Sequence, residues 1–412
     1  MLLGYLVGRK KIKEVNKLGA IMSEVRKLLV IFFSLLMVGC AGIFKPSEDA
    51  VMVTGIRASL PITVSPEPTT EDRLYPVLFG TTRKATGSNY SSQRDSQVNY
   101  GRVWVRIPKG HITGSTGESP FWPWQNDTRL NVNRVEAMSG SVQFVKVMRS
   151  GIKAERHPQD DFVVVFIHGF NNSFDDAAIR AAQIGADLEI PQNSMMLFSW
   201  AARNSIKEYT VDEATVDASE VYLRAFLSSV MEGAGPRKVH VIVHSMGNRA
   251  FLRTVAASLV SVSDQQRMKF GQVILAAADV DRDLFAQLAP SYLKVASNTT
   301  VYLSPYDYAV HASDIVHQYP RVGCGDSPQV IIPGIDNVVS LVPDDIPAHA
   351  YFAEALPVLI DIKSLLYLNV PRRPAPLWKY ENGFWTVGRP QAGALPDRLR
   401  CETKNPIKVA VQ

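Results

Sequence analysis

Ser245 sits where a short apolar run, residues 239–243, meets a run with Phe251, Leu252, Val255 and Leu259 at helical spacing. A serine on a sharp turn between a strand and a helix is held out of the sheet, where a base can reach its hydroxyl. Gly247 leaves room for the helix to cross close to the strand. The amide that follows the serine, on Met246, points to where a tetrahedral oxyanion would form. The pattern G-x-S-x-G is met except at its first position, which is Val243. The rival reading of such a serine is a helix N-cap.

Three more stretches carry matching chemistry. His168-Gly169-Phe170 follows the buried apolar run 162–167, and the Phe170 amide is placed to give a second oxyanion donor, with His168 shaping the loop. Asp307, after the run 299–304, can orient and stabilise a histidine. Asp279 is the alternative acid, and a turn-forming aspartate is the bland reading of either. His349, before the helical run 350–365, completes the chain order Ser245, Asp307, His349; a surface histidine at a helix start is its rival reading. His244 reads as packing beside the turn. Trp200, Tyr209 and Tyr306 are candidate pocket walls, or else ordinary core aromatics. His311, His317 and His349 are a third, weaker reading as metal ligands, but the i, i+6 spacing of the first two suits one helix face poorly. No metal or cofactor is expected.

The elements that must position these residues read as an α/β fold, a mostly parallel sheet with helices on both faces. A continuously apolar strand is expected at 162–167, further strands at 195–200, 239–243, 271–277 and 299–304, and a short one at 329–332. Helices are expected at 173–188, capped by Ser173, and at 214–231, 246–259, 284–293 and 350–365. Alternating strands and helices give this architecture, with ligands beyond the C-terminal strand ends. Earlier in the chain, strands are expected at 74–84, 103–108 and 141–148, with a loop over 85–101. Residues 202–213 could form part of a cap over the site.

The segment from about residue 79 to 368 resembles the alpha/beta-hydrolase superfamily. It looks most like a bacterial family of that fold, hydrolases or esterases of unknown function. The resemblance is carried by LFGTTRK at 78–84, FIHGFNNSF at 166–174, LFSWAARNS at 197–205, VIVHSMGNRA at 241–250, ILAAADVD at 274–281, VYLSPYDYAV at 301–310 and AHAYF at 348–352. It implies Ser245 as nucleophile, Asp307 as acid and His349 as base, with the Phe170 and Met246 amides as oxyanion hole. In this fold the acid usually follows the penultimate strand, which favours Asp307 over Asp279. The expected activity is hydrolysis of small or soluble esters through an acyl-enzyme, with amide or thioester cleavage by the same groups as an alternative. A binding platform without catalysis is the rival of another class.

The chain has 412 residues, 46% of them hydrophobic and 20% charged, enough for one large domain. Residues 1–27 hold seven basic and two acidic side chains, which accounts for the whole net charge of +5. The remainder is neutral, with no basic face for nucleic acid. Residues 28–38 form an apolar run too short to span a bilayer comfortably, between Arg26-Lys27 and Gly39-Cys40. Met37-Val38-Gly39-Cys40 resembles a bacterial lipoprotein box. The resemblance implies an export signal over 1–39 (with Met22 an alternative start), a lipid on Cys40 and a folded part outside the cytoplasm. Ala41 in second mature position points to the outer membrane. Residues 40–72 read as a tether, 73–368 as the hydrolase domain and 369–412 as an extended C-terminal tail. Cys324 and Cys401 are then left as either a disulfide or two free thiols.

Overall fold

The computed structural model describes residues 64–65, 67–118, 127–152, 161–261, 268–342, 349–369, 379–381, 383–388 and 406–410. The expected export signal, Cys40, most of the tether and Cys401 lie outside these residues. Among the described residues, no helix is long and apolar enough to cross a membrane.

Three strands come first, β1 (Arg73–Thr86), β2 (Asn89–Ile107) and β3 (Asn131–Met138), paired antiparallel. Then follow α1 (Ser141–Gly151), β4 (Phe162–Ile167), α2 (Phe174–Asp187), β5 (Met195–Ser199), α3 (Tyr209–Ala218), α4 (Glu220–Ala234), β6 (Lys238–His244), α5 (Gly247–Ser261), β7 (Phe270–Ala276), α6 (Arg282–Leu288) and β8 (Ala296–Leu303). The chain continues through α7 (Tyr308–His317), β9 (Val330–Ile331), β10 (Ile335–Ser340), α8 (Tyr351–Glu354), α9 (Leu356–Leu368), β11 (Lys379–Glu381), β12 (Phe384–Val387) and β13 (Ile407–Lys408). One sheet of eleven strands runs β11-β12-β10-β8-β7-β6-β4-β5-β1-β2-β3. From β12 across to β1 every neighbouring pair is parallel, so the six inner crossovers bring their strand ends to one side. This is the architecture of an alpha/beta hydrolase.

The inner strands are buried and mostly apolar because both sheet faces are covered. All six residues of β4 are buried. Their period of two splits them between two cores: Val163, Val165 and Ile167 join one, Phe162, Val164 and Phe166 the other. Helix α2 starts where the sequence places it. Ser173 accepts from the Asp176 amide, and Asp176 accepts in return from the Ser173 amide, a capping box.

Several local expectations are corrected. Residues 141–148 form helix α1, not a strand, burying Phe144, Val145 and Met148 while Val142 is 84% exposed. Residues 89–101, expected as loop, belong to β2 and pair with β1 in spite of their polar composition, around a turn at Gly87 with φ 59°. The helix expected over 214–231 is two, meeting at Ser219. The helical stretch at 350–365 is likewise two helices, with Pro357 in the first turn of α9. Strands β3 and β10 were not foreseen. From residues 369–412, β11 and β12 extend the sheet edge beside β10, and β13 pairs with β9.

Candidate active site

The elbow at Ser245 follows from its neighbours. Ser245 has φ 52°, a left-handed conformation that a non-glycine residue adopts at a cost of about 1–2 kcal/mol. Hydrogen bonds hold it there. The Ser245 amide donates to Ala276 O at 2.9 Å, and its carbonyl accepts from the amides of Asn248 at 3.1 Å and Asp279 at 3.3 Å. The buried Asn248 side chain donates to Ser245 O at 3.0 Å, Val243 O at 3.2 Å and Ala276 O at 3.4 Å. Gly247 is needed for close approach, because a Cβ there would lie 2.6 Å from His168 O. Val243, at the position where glycine is usual, turns its side chain into the core without conflict.

The loop after β4 lies against this elbow. A Cβ on Gly169 would fall 2.6 Å from Ser245 Cβ and 3.2 Å from its Oγ. His168 is buried, with Nδ1 2.8 Å from Gly169 O and Nε2 3.1 Å from Trp200 O and 3.3 Å from Ser199 Oγ. Burial, assisted by the charge of Arg83, pulls its pKa down to about 3, so it stays neutral. Trp200 stacks on His168 at 5.1 Å, donates to His168 O at 2.8 Å and has no exposed surface, so it is core and not pocket wall. Asn171 has φ 57°, and the Asn172 side chain donates to Phe170 O at 2.8 Å and Gly169 O at 3.3 Å. Among the described residues, no backbone acceptor takes the Phe170 or Met246 amide.

The acid and the histidine meet. Asp307 is fully buried and N-caps α7, accepting from the Val310 amide at 3.0 Å. Its two carboxylate oxygens each lie 2.9 Å from His349 Nδ1. Burial pulls the His349 imidazolium down, but the charge and hydrogen bond of Asp307 outweigh it and its pKa sits above 6.5. The pair is tied to the elbow by His244. Its Nε2 lies 3.0 Å from His349 O, and its ring packs on His349 at 4.5 Å and on Phe352 at 4.6 Å. Burial and the neighbouring His349 hold His244 neutral, well below 6.5. His244 therefore fixes the backbone of His349.

Asp279 is engaged elsewhere. It accepts from Tyr209 Oη at 2.5 Å and from Ser313 Oγ at 2.6 Å, with Arg321 Nε at 3.6 Å. Tyr209 packs edge-on against Phe170 at 5.1 Å, so residues 202–213 do reach the loop after β4. Tyr306 is 5% exposed and next to Asp307. The histidines weighed as a metal set do not converge, since His317 Nε2 faces Glu213 at 2.8 Å while His349 faces Asp307. His311, Asp314 and Cys324 do come together, but Cys324 is disulfide-bonded and its sulfur is not a free ligand. Cys401, the partner considered for it, lies outside the described residues.

Sequence reasoning missed Asn248, Asn172 and Arg83. All three act on backbone carbonyls, and the only signal was their place inside the motifs at 241–250, 166–174 and 78–84. No curated protein matches the chain. A family model matches residues 146–332, which include the loop after β4, Ser245 and Asp307 and stop before His349. Over that stretch, on the parallel sheet that carries the elbow, the chain is similar to the family described as alpha/beta hydrolase of unknown function (DUF900).

Proposed function

We propose that this hydrolase is a serine esterase that cleaves small or soluble carboxylic esters through an acyl-enzyme. The observation that carries the reading is the Asp307–His349 pair, two contacts of 2.9 Å on Nδ1, braced against the Ser245 elbow by His244. With Nδ1 committed to Asp307, Nε2 is the nitrogen left to take the Ser245 proton. Ser245 Oγ attacks the ester carbonyl and forms a bond to carbon while the carbonyl π electrons move to oxygen. The oxyanion rests on the amides of Phe170 and Met246, and His349 returns the proton to the departing alcohol. Water then repeats the sequence and releases the acid. Amides and thioesters present the same carbonyl to the same groups, and a substrate screen separates them.

The neutral folded part, the basic and apolar N-terminal segment and Cys40 support a lipid-anchored place in the bacterial envelope, outside the cytoplasm. Mass spectrometry of the mature N-terminus tests this: a diacylglyceryl Cys40 supports it, and an unmodified chain starting at Met1 or Met22 overturns it.

A fluorophosphonate probe tests the chemistry. The full chain in detergent is expected to be labelled and the Ser245→Ala variant not. Absence of labelling from folded wild-type protein would favour a non-catalytic binding platform.

A further inference from the structure

Resting on the serine-hydrolase reading, the geometry points to Arg83 and Asn172 as positioning residues that set the Gly169–Phe170 peptide so that the Phe170 amide faces the oxyanion. In a trans peptide the N–H and C=O point in opposite directions. Whatever holds the Gly169 carbonyl on one side therefore aims the Phe170 N–H to the other. Gly169 O is held by Asn172 Nδ2 at 3.3 Å and by His168 Nδ1 at 2.8 Å. Asn172 Nδ2 also holds the next carbonyl, Phe170 O, at 2.8 Å. Without these donors the peptide is free to turn over and point a carbonyl at the oxyanion in place of an N–H.

Arg83 stands behind both holds. It comes from β1, far from the loop in sequence, and is 1% exposed. Its NH2 group donates to Asn172 O at 2.7 Å, which ties down the backbone of the residue whose side chain does the gripping. Its Nε donates to Ser199 Oγ at 2.9 Å. A guanidinium only donates, so Ser199 Oγ accepts there and its own proton is free for His168 Nε2 at 3.3 Å. Two carbonyls face the ring, Gly169 O at 2.8 Å from Nδ1 and Trp200 O at 3.1 Å from Nε2; the shorter contact and the Ser199 proton together place the single proton of the neutral imidazole on Nδ1, where it meets Gly169 O. The chain Arg83 to Ser199 to His168 to Gly169 thus fixes both tautomer and carbonyl. The remaining donor, NH1, goes to Ala202 O at 3.0 Å, locking the loop after β5 beside them.

A buried cation whose hydrogen bonds end on neutral oxygens costs stability. Burial brings the Arg83 guanidinium down to about 10, with the charge of the buried Asp212 opposing. Lysine offers one rotating ammonium in place of the planar fork and does not reach Asn172 O, Ser199 Oγ and Ala202 O at once.

The test compares wild type, Arg83→Lys and Asn172→Ala in full-length protein, with active sites counted by fluorophosphonate titration. Three quantities are read: kcat per active site and KM on a p-nitrophenyl ester, and Ki for a trifluoromethyl ketone, whose hemiketal oxyanion needs the aligned amide. In both variants kcat is expected to fall roughly tenfold to a hundredfold, below the ~10²–10³ for deleting a donor outright. KM stays within about twofold and Ki weakens by the same factor as kcat/KM. Variants that merely lose Tm, with kcat per active site and Ki as in wild type, overturn the proposal. Asn172 is half-exposed and carries the test if Arg83→Lys does not fold. Wild type that binds neither reagent overturns the hydrolase reading itself, and the positioning role with it.

Discussion

Asp307 shows how one carboxylate serves two masters. As N-cap it takes the Val310 amide, and as partner it takes His349 Nδ1. Its charge is what lifts the His349 pKa against burial. A general base must be neutral to act, so kcat/KM is expected to fall with decreasing pH as the medium passes through that raised value. In Asp307→Asn the lifting charge is gone while burial remains. The acid limb should move to lower pH, and kcat should fall roughly 10³–10⁴-fold because the tautomer is no longer held. A pH–rate profile of both proteins checks it; an acid limb unmoved in the variant would mean that another group titrates there.

At the level of elements, the site depends on two loops that nearly touch. The strand-to-helix turn after β6 and the loop after β4 are separated only by the missing side chains of Gly247 and Gly169. A methyl on Gly169 would sit 2.6 Å from Ser245 Cβ, with His244 Nδ1 also at 3.0 Å. Gly169→Ala is therefore expected to displace the elbow and cut kcat by about 10²-fold or more, as a misplacement near 1 Å does. Gly87→Ala is the control. It occupies a left-handed turn with open space around it, so it should lose about 1 kcal/mol of stability and keep its activity. Equal activity loss in the two variants would show that strain and not contact is responsible.

The whole molecule carries several buried neutral histidines. Burial pulls His168 and His240 each to about 3. These are groups with depressed folded pKa values, and the unfolded chain takes up their protons near pH 6.5 while the native state does not. Stability from each is fully present above that value and declines as pH falls from about 6.5 towards 3, by about 1.4 kcal/mol per pH unit per group. Urea unfolding at pH 7, 6 and 5 should show the decline. His240→Leu, although less stable through loss of the Gln272 amide's acceptor, should show a shallower slope by one proton. An unchanged slope would remove His240 from this account.

The inner sheet was legible in the chain because strands buried on both faces leave no choice of residue type. Runs such as 162–167 can be read without any partner in view. Ser245 and Asp307, each beyond a strand run, were legible for the same reason, whereas His349 was read from its place before a helical run, with β10 ahead of it unforeseen. Outer elements were not legible. Residues 141–148 fit alternation and a helical stripe equally, and only packing against α4 selects the helix, with Phe144 against Phe226. The polar half of β2 is a strand because β1 supplies its backbone partners, which no side chain announces. The choice of Asp307 over Asp279 was decided in space, where Tyr209 and Ser313 occupy one carboxylate and His349 the other. Arg83 lies furthest from the reach of sequence. Its acceptors are the Ser199 hydroxyl at the end of β5 and backbone oxygens in the loops after β4 and β5, and a carbonyl carries no residue identity for a pattern to record.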